Sequence, residues 1–208
     1  MIDTVLEQIS ASNGVKLAII FAIVLFIVSF MKLKGSLNTK NIAFIGLLIA
    51  MSIILKRFIS IELANDRIGF TYFATAMMGA LFGPWVGGAA NVIADFIGMI
   101  LFPKGAFFPG FTLTAFLEGF VYGLLLYKKE IKMKDTIIAS VIVGVFLHLG
   151  LNSIWLHMLN QNPIWTQIAM RIPKQLIVIP LESITLGLVM PRLVKEIRNM
   201  FRQELSIR

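Results

Sequence analysis

The chain has 208 residues, of which 58% are hydrophobic and 14% are charged, whereas about a quarter of the residues in a soluble domain are charged. This composition excludes a soluble globular protein and indicates an integral membrane protein. Cysteine is absent, which excludes disulfides and thiolate metal sites. The two histidines, nine residues apart, fit no common metal motif.

Long apolar runs occupy most of the chain. The first covers residues 15–31; because acidic residues precede it and lysines follow it, we expect a retained helix with its amino terminus outside, not a cleaved signal peptide. Unbroken runs of such length predict helices rather than the strands of a barrel. The predicted fold class is an all-α membrane protein with a six-transmembrane-helix core plus one extra N-terminal transmembrane helix. The six core runs are residues 41–57, 67–83, 85–102, 107–127, 135–159 and 167–190.

Charge gives a predicted orientation. We divide the chain into residues 1–40 (extra helix and linker), 41–195 (six-helix core) and 196–208 (basic tail). If residue 40 lies inside, the inner segments hold 12 of the 19 lysines and arginines, which fits the positive-inside rule. We therefore expect a multi-pass protein of the cell membrane with a cytoplasmic C-terminus. Orientation explains the basic excess, so we expect no nucleic-acid partner.

The clearest interruption is the segment Phe102–Phe111, which we call the break. Its two prolines and two glycines stop a helix, and they lie beside four phenylalanines and Lys104. Backbone outside a helix at the edge of a membrane needs protein or water around it. The break is therefore either a connecting turn or the lip of a ligand pocket, and the predicted orientation puts it outside.

Cations in the outer half of the chain suggest an anionic ligand. Arg57 ends the first core run and Lys104 lies in the break, while Arg171 and Lys174 lie one turn apart within the last run, beside Gln175. The four cations can converge at the outer end of a bundle. Snorkelling of each side chain to the interface is the alternative, and it fits Arg57 or Lys104 alone better than the pair inside the last run.

Aromatic and amide residues accompany these cations. His148, Asn152 and Trp155 follow the i, i+4, i+7 spacing of one helix face. A lone carboxamide in lipid would lack partners, so Asn152 is expected to face polar groups. An aromatic slot could also include Phe70, Tyr72, Phe107, Phe108, Phe111 and Trp165. An interfacial aromatic belt is the alternative, and it is the better interpretation of Trp85 and Trp165.

Three carboxylates, Asp95, Glu118 and Glu182, lie near the middle of apolar runs. A charge at the bilayer centre costs roughly 2.5 to 3.5 kcal/mol, so each is expected to face the bundle interior. They could form a proton relay, pair with arginine or bind the amino groups of a ligand. The spacing does not choose among these roles, because no two of them share a run.

The sequence contains no phosphate-binding loop and no evident nucleophile, metal cluster or acid–base pair. We therefore expect a protein that is not an enzyme, with no catalytic residues, no metal and no cofactor. Gly46 and Ala50 are small residues four apart, a spacing that lets another helix approach closely.

Several motifs resemble those of one family. They are Leu55–Ile61, Ile68–Phe70, Leu81–Pro84, Ala94–Gly98 and Phe102–Thr114, of which Phe-Pro-Gly-Phe-Thr-Leu-Thr is the most specific. Over about residues 41–195 the chain resembles the folate-specific S component of energy-coupling factor (ECF) vitamin transporters. The resemblance implies a six-helix subunit that captures folate from outside and works with a transmembrane coupling subunit and two cytoplasmic ATPases. It implies that Gly46 and Ala50 contact the coupling subunit. The extra helix at 15–31 departs from the family pattern.

Folate carries a pterin, an aminobenzoyl ring and a glutamate, and the resemblance therefore suggests roles for individual residues. The glutamate is expected to meet cations, among Arg57, Lys104, Arg171 and Lys174. The pterin edge is expected to meet Asn152, Asp95 or Gln175. Stacking is expected from Phe107, Phe108 and Trp155.

Two other functions remain open on the sequence alone. The same architecture could serve another vitamin or pterin-like ligand, because cations beside an aromatic slot also suit phosphorylated compounds. A stand-alone proton-coupled carrier is the other alternative, with Asp95, Glu118 and Glu182 as the relay.

Overall fold

The structure is a computed structural model, and it describes residues 20, 24–25, 27–29, 38–63, 66–103 and 107–206. Most of the predicted extra helix at 15–31 lies outside the described residues, as does Lys104.

The described chain is mostly helical, which confirms the predicted class of helical membrane protein. Its elements are α1 Thr39–Arg57, β1 Ser60–Leu63, β2 Asp66–Gly69, α2 Thr71–Phe82, α3 Pro84–Leu101, α4 Pro109–Leu126, α5 Met133–Ile142, a π-helical segment Val143–Leu151, α6 Asn152–Asn160 and α7 Ile164–Ser206. The segments from α5 to α6 form one continuous helix of 28 residues. Within the described residues, five helices are long and apolar enough to cross a membrane, and α2 is a shorter apolar helix.

A short β-hairpin joins α1 to α2, and the sequence analysis did not predict it. Strands β1 and β2 are antiparallel, with Ser60 opposite Gly69 and Ile61 opposite Ile68. The hairpin follows the carboxyl end of α1, and the ring of Phe58 lies 5.0 Å from that of Phe102 at the end of α3. The hairpin and the break are therefore neighbours at one end of the bundle, which we call the break end.

Glycines allow α2, α3 and α4 to pack closely. A Cβ atom built at Gly79 would lie 2.5 Å from the backbone nitrogen of Gly123, and one at Gly119 would lie 2.4 Å from the carbonyl oxygen of Gly87. Such distances leave no room for a side chain, so the backbones themselves are in contact. Small residues four apart favour this packing of membrane helices.

Helix α7 runs the length of the bundle and continues through Pro173, Pro180 and Pro191. Proline is tolerated inside membrane helices because neighbouring groups satisfy the freed carbonyls. Away from the break end, Arg198 donates to the carbonyl oxygens of Ala80 and Lys129, each at 2.8 Å. These bonds hold α7 against the ends of α2 and α4.

Candidate functional site

An aromatic cluster lies where the break meets α4. Phe108 and Trp155 are 5% and 6% exposed, and their ring centroids are 6.0 Å apart. The indole nitrogen of Trp155 donates to the hydroxyl of Thr114 at 3.0 Å. Two of the three residues predicted to stack on a ligand therefore lie together, held by a hydrogen bond to α4.

Gly110 explains why the break has its particular sequence. Pro109 occupies the first turn of α4, where its missing N–H has no intrahelical partner to lose. A Cβ atom at position 110 would lie 2.5 Å from the indole of Trp155 and 2.6 Å from the ring of Phe108. Only glycine lets both rings approach the start of α4. The sequence alone marks this glycine as a helix breaker and does not reveal its packing role.

Phe107 lies apart from this pair. Its ring centroid is 5.6 Å from that of Phe96, and both side chains are largely exposed, at 38% and 43%. Adjacent residues in extended backbone point in opposite directions, and Phe107 and Phe108 follow that rule.

Polar groups of α7 face the π-helical segment. Arg171 donates from Nη1 to the carbonyl oxygen of His148 at 2.8 Å. Asn152 and His148 are in contact through Nδ2 and Nδ1, 3.3 Å apart. The structure thus brings Arg171, His148 and Asn152 together, and Lys174 follows Arg171 by three residues, close to one helical turn.

Two amide oxygens beside these cations have no hydrogen-bond partner among the described residues. They are Oδ1 of Asn152 and Oε1 of Gln175. The Gln175 side chain is only 4% exposed, and Oε1 would lie 3.4 Å from a Cβ atom built at Gly144. An unsatisfied buried acceptor costs about 1 to 3 kcal/mol, so both oxygens are well suited to receive donors from a ligand.

Arg57, the last residue of α1, lies against Gly98 of α3, three residues after Asp95. Arg57 is 5% exposed, and a Cβ atom at Gly98 would lie 3.3 Å from its Nε. Asp95 accepts from Lys56 at 2.5 Å and from the hydroxyl of Thr112 at 3.0 Å. No sequence motif predicts the role of Lys56, which lies 39 residues from its partner.

Polar groups also bridge the helices deeper in the bundle. Tyr122 donates to the fully buried carboxylate of Glu182. Asn91, also missed from the sequence, donates to the carbonyl oxygen of Ala115 at 2.7 Å and accepts from Thr75 at 3.2 Å. These bonds satisfy polar groups that apolar surroundings would otherwise leave unpaired.

The predicted coupling contact lies on an open face of α1. A Cβ atom at Gly46 would meet nothing within 4 Å, and Ala50 is exposed. Beside them, α1 and the end of α7 enclose a groove of about 420 Å³, lined by Lys40, Ala43, Phe44, Leu47, Ile197, Met200 and Phe201. In the part of the chain that the structure describes, no group of three or more metal-ligating side chains is found.

A match to a known protein family shows which kind of protein this chain is. The family described as "ECF-type riboflavin transporter, S component" matches residues 36–199. The chain belongs to this family of S components. This match confirms the predicted resemblance to an ECF S component. It also confirms the prediction of a transport subunit rather than an enzyme, because the members of this family are parts of transporters.

The chain is also similar to two curated proteins and to one solved structure. The folate transporter FolT of Clostridium novyi (strain NT) is 36% identical over 143 residues, which are 69% of this chain and 83% of the relative. The folate transporter FolT of Leuconostoc mesenteroides is 29% identical over 154 residues, covering 70% and 82% of the two chains. A crystal structure of FolT bound with folic acid matches with a TM-score of 0.68 and 36% identity, over 73% of this chain and 91% of the other.

Proposed function

We propose that this S component binds folate and presents it for uptake by an ECF transporter. One observation carries the proposal: the chain matches a structure of FolT bound with folic acid at 36% identity over 91% of that chain. The family also implies a transmembrane coupling subunit and two cytoplasmic ATPases as partners. In this proposal the core has six membrane helices preceded by an extra one, and the C-terminus is cytoplasmic.

The chemistry of the site supports this ligand. In this proposal the buried pair Phe108 and Trp155 forms the apolar wall against which an aromatic ring of the ligand packs. Asn152 and Gln175 offer unsatisfied acceptors, and Arg171 with Lys174 offers positive charge to the two carboxylates of the glutamate. Together these groups match the three parts of folate.

Not every predicted residue is given the same role. We assign the glutamate to Arg171 and Lys174, with Arg57 and Lys104 as further cations at the break end. Asp95 already accepts two hydrogen bonds, so we propose that it orients Lys56 rather than the ligand. Phe107 packs on Phe96, and we place it at the edge of the site rather than in the stack.

Riboflavin is the second candidate ligand, because the matching family is described by that vitamin. Riboflavin has a flat ring system but no carboxylate, so it gives Arg171 and Lys174 no anionic partner. The two reported relatives are both folate transporters, which favours folate.

A titration of the detergent-purified chain, followed by tryptophan fluorescence, tests the proposal. We expect saturable quenching by folate, weaker binding of pteroate, which lacks the glutamate, and no response to riboflavin or thiamine. Replacement of Arg171 by Ala should weaken folate binding by about 2 to 5 kcal/mol if the arginine is a buried charge partner, and pteroate binding far less. Quenching by riboflavin but not by folate would overturn the proposal in favour of the second candidate.

The partner assignment needs its own experiment. Proteoliposomes that contain the chain with a coupling subunit and both ATPases should accumulate folate only when ATP is supplied. The chain alone should bind folate without transporting it. Transport by the chain alone, lost when a proton gradient is removed, would instead indicate the proton-coupled carrier.

A further inference from the structure

The first apolar run of the sequence, residues 15–31, touches the candidate site. Residues 20, 24–25 and 27–29 of this run are described, and all of them are helical. Leu25 packs against a buried cluster formed by Phe108, Leu113 and Trp155, which contains the aromatic pair of the candidate site. The family match begins only at residue 36, so one side of this contact comes from a part of the chain that the match does not cover.

Burial divides the described residues of this run into two faces. Leu25, Val28 and Ser29 are buried or half-buried, and residues at positions i, i+3 and i+4 lie on one face of a helix. The exposed side chains on the opposite side are those of Ile20, Val24 and Ile27. The described part of the run therefore turns one face toward the bundle and presents an apolar face to lipid.

Ser29 shows how closely the inner face approaches the bundle. Its side chain is 0% exposed, and its hydroxyl donates to the carbonyl oxygen of Leu25 at 2.8 Å. The hydroxyl donor is thus satisfied within its own helix. Small residues at helix interfaces let helices approach closely, so a serine one turn after Leu25 allows the run to lie directly against its neighbours.

The cluster that Leu25 contacts is built from separate elements. Leu113 belongs to α4 and Trp155 to α6, whereas Phe108 precedes the first turn of α4. The backbone of Phe108 is extended, with φ −136° and ψ 122°. Because Phe108 lies outside a helix, the position of its ring depends on the side chains that pack around it.

Contacts to α4 hold the aromatic pair on one side. Trp155 donates to the hydroxyl of Thr114, and both rings lie close to Gly110. Leu25 adds a contact from a different helix. Lipid tails are as apolar as leucine, so helix contacts in a membrane stabilise through close packing rather than through removal of apolar surface from water. The contribution of Leu25 is therefore to fix where the rings lie.

We propose that Leu25 is a positioning residue for ligand binding: through it, the first apolar run holds Phe108 and Trp155 in place and slows the release of folate. This inference rests on the proposed function, in which the two rings form the apolar wall of the folate site. Rings that are held in place separate less often from a bound ligand. Most effects of this kind fall on the rate of dissociation, whereas the rate of association changes little.

Replacement of Leu25 by Ala in the full-length purified chain tests the proposal. The shorter side chain leaves a space that the surroundings fill only in part. We expect folate to dissociate about five- to tenfold faster, with an association rate within about twofold of wild type. Stopped-flow fluorescence gives both rates. A lower unfolding temperature with an unchanged rate of release would show that Leu25 only stabilises the fold, and the proposal would be wrong.

Two further variants serve as controls. Ile27→Ala removes an apolar side chain of the same size from the same run, but this side chain is 52% exposed, so both rates should stay as in wild type. Leu25→Met conserves the volume of the side chain, and its rate of release should lie within about twofold of wild type. Equal acceleration of release in Ile27→Ala and Leu25→Ala would contradict a specific role of Leu25.

A double-mutant cycle shows whether Leu25 acts through the aromatic pair. In the background of Phe108→Leu, which has lost one ring, the further change Leu25→Ala should speed release by less than about twofold, because effects that share one contact do not add. The full five- to tenfold acceleration in both backgrounds, as estimated for a loss in dissociation rate, would mean that Leu25 acts independently of Phe108.

A measurement without ligand separates this inference from the choice of folate. Trp85→Phe with Trp165→Phe leaves Trp155 as the only tryptophan of the chain, which has three. In this background Leu25→Ala should lower the fluorescence anisotropy of Trp155, because a looser ring moves on the nanosecond timescale, and Ile27→Ala should not. Unchanged anisotropy in Leu25→Ala would overturn the positioning role. Absence of folate binding by the wild-type chain would instead overturn the proposed function, and the anisotropy would still decide whether Leu25 holds the pair.

Discussion

Trp155 and Thr114 are joined by a hydrogen bond of 3.0 Å from the indole nitrogen to the threonine hydroxyl. This bond links α6 to the first turns of α4, next to the break, and both side chains are buried. The aromatic pair of the candidate site is therefore fixed by a polar contact as well as by apolar packing, and its position depends on both helices.

Replacement of Thr114 by Val tests this bond. Valine keeps the shape of threonine but leaves the buried indole N–H without its acceptor, which should lower the free energy of unfolding by about 1 to 3 kcal/mol. Thermal unfolding of the purified chain measures this, and folate binding should weaken in parallel. Thr114→Ser keeps the hydroxyl and should resemble the wild type. Equal behaviour of the two variants would mean that the hydrogen bond contributes little.

The closeness of Gly110 to both rings leads to a second prediction. In Gly110→Ala the new methyl group would lie 2.5 Å from the indole of Trp155 and 2.6 Å from the ring of Phe108, so the aromatic pair must separate. We expect folate affinity to fall at least tenfold, equivalent to about 1.4 kcal/mol. The titration described above gives the affinity.

Gly150→Ala is the control for that change. There the nearest atom to the new methyl group would be the carbonyl oxygen of Val145, at 3.4 Å. Alanine is also a better helix former than glycine by about 0.8 to 1 kcal/mol, so stability should be unchanged or slightly higher. A similar loss of folate affinity in both variants would show that the rings do not explain the effect.

The packing of α3 on α4 supports a third prediction. A methyl group at position 119 would lie 2.4 Å from the carbonyl oxygen of Gly87, which is backbone and cannot rotate away. Overpacking of this kind costs about 1 to 3 kcal/mol, which outweighs the gain in helix propensity. Gly119→Ala should therefore unfold at a lower temperature than wild type, whereas Gly46→Ala, whose methyl group meets nothing within 4 Å, should not.

Much of the architecture could be predicted from the sequence. The length of each apolar run predicts a helix, and the prolines and glycines of the break predict where helices end, because both effects depend only on nearby residues. The runs at 85–102 and 107–127 coincide closely with α3 and α4. Other features depend on the surroundings. Pro191 ends an apolar run in the sequence, yet α7 continues through it, since neighbouring groups can satisfy the freed carbonyls. The residue types in the π-helical segment Val143–Leu151 do not predict a π-helix.

The sequence predicts which residues belong to the candidate site better than it predicts which of their side chains are in contact. Spacing placed Asn152 and Trp155 on one face, and the structure finds both in the candidate site. It could not pair Lys56 with Asp95, because an ion pair across 39 residues depends on the tertiary fold. Spacing also could not show that the side chains of Phe107 and Phe108 point in opposite directions. Their directions depend on extended backbone that begins only after α3 ends.

A fourth prediction concerns the open face of α1. Because a Cβ atom at position 46 would meet nothing within 4 Å, we expect Gly46→Leu to fold normally and to bind folate with unchanged affinity. If this face contacts the coupling subunit, the larger side chain should prevent close approach, and both complex formation and ATP-dependent uptake should fall. Co-purification with the coupling subunit and uptake in proteoliposomes measure these effects. Normal uptake by Gly46→Leu would place the contact elsewhere.

The last prediction concerns movement at the break end, where the rings of Phe58 and Phe102 meet edge to face at 5.0 Å. One residue precedes the hairpin by two positions and the other begins the break, so entry of folate at this end requires the two segments to separate. The chain has no cysteine, so Phe58→Cys with Phe102→Cys provides the only thiols for a short cross-linker. Cross-linking should slow both binding and release of folate in stopped-flow fluorescence.

The equivalent cross-link at the other end is the control. The rings of Phe44 and Phe201 also meet edge to face, with centroids 5.7 Å apart, but they lie away from the break. Joining Phe44→Cys to Phe201→Cys should leave the rates of folate binding and release unchanged. If the pair at the break end also has no effect on either rate, folate enters without separation of the hairpin and the break, and the path to Trp155 must open between other helices.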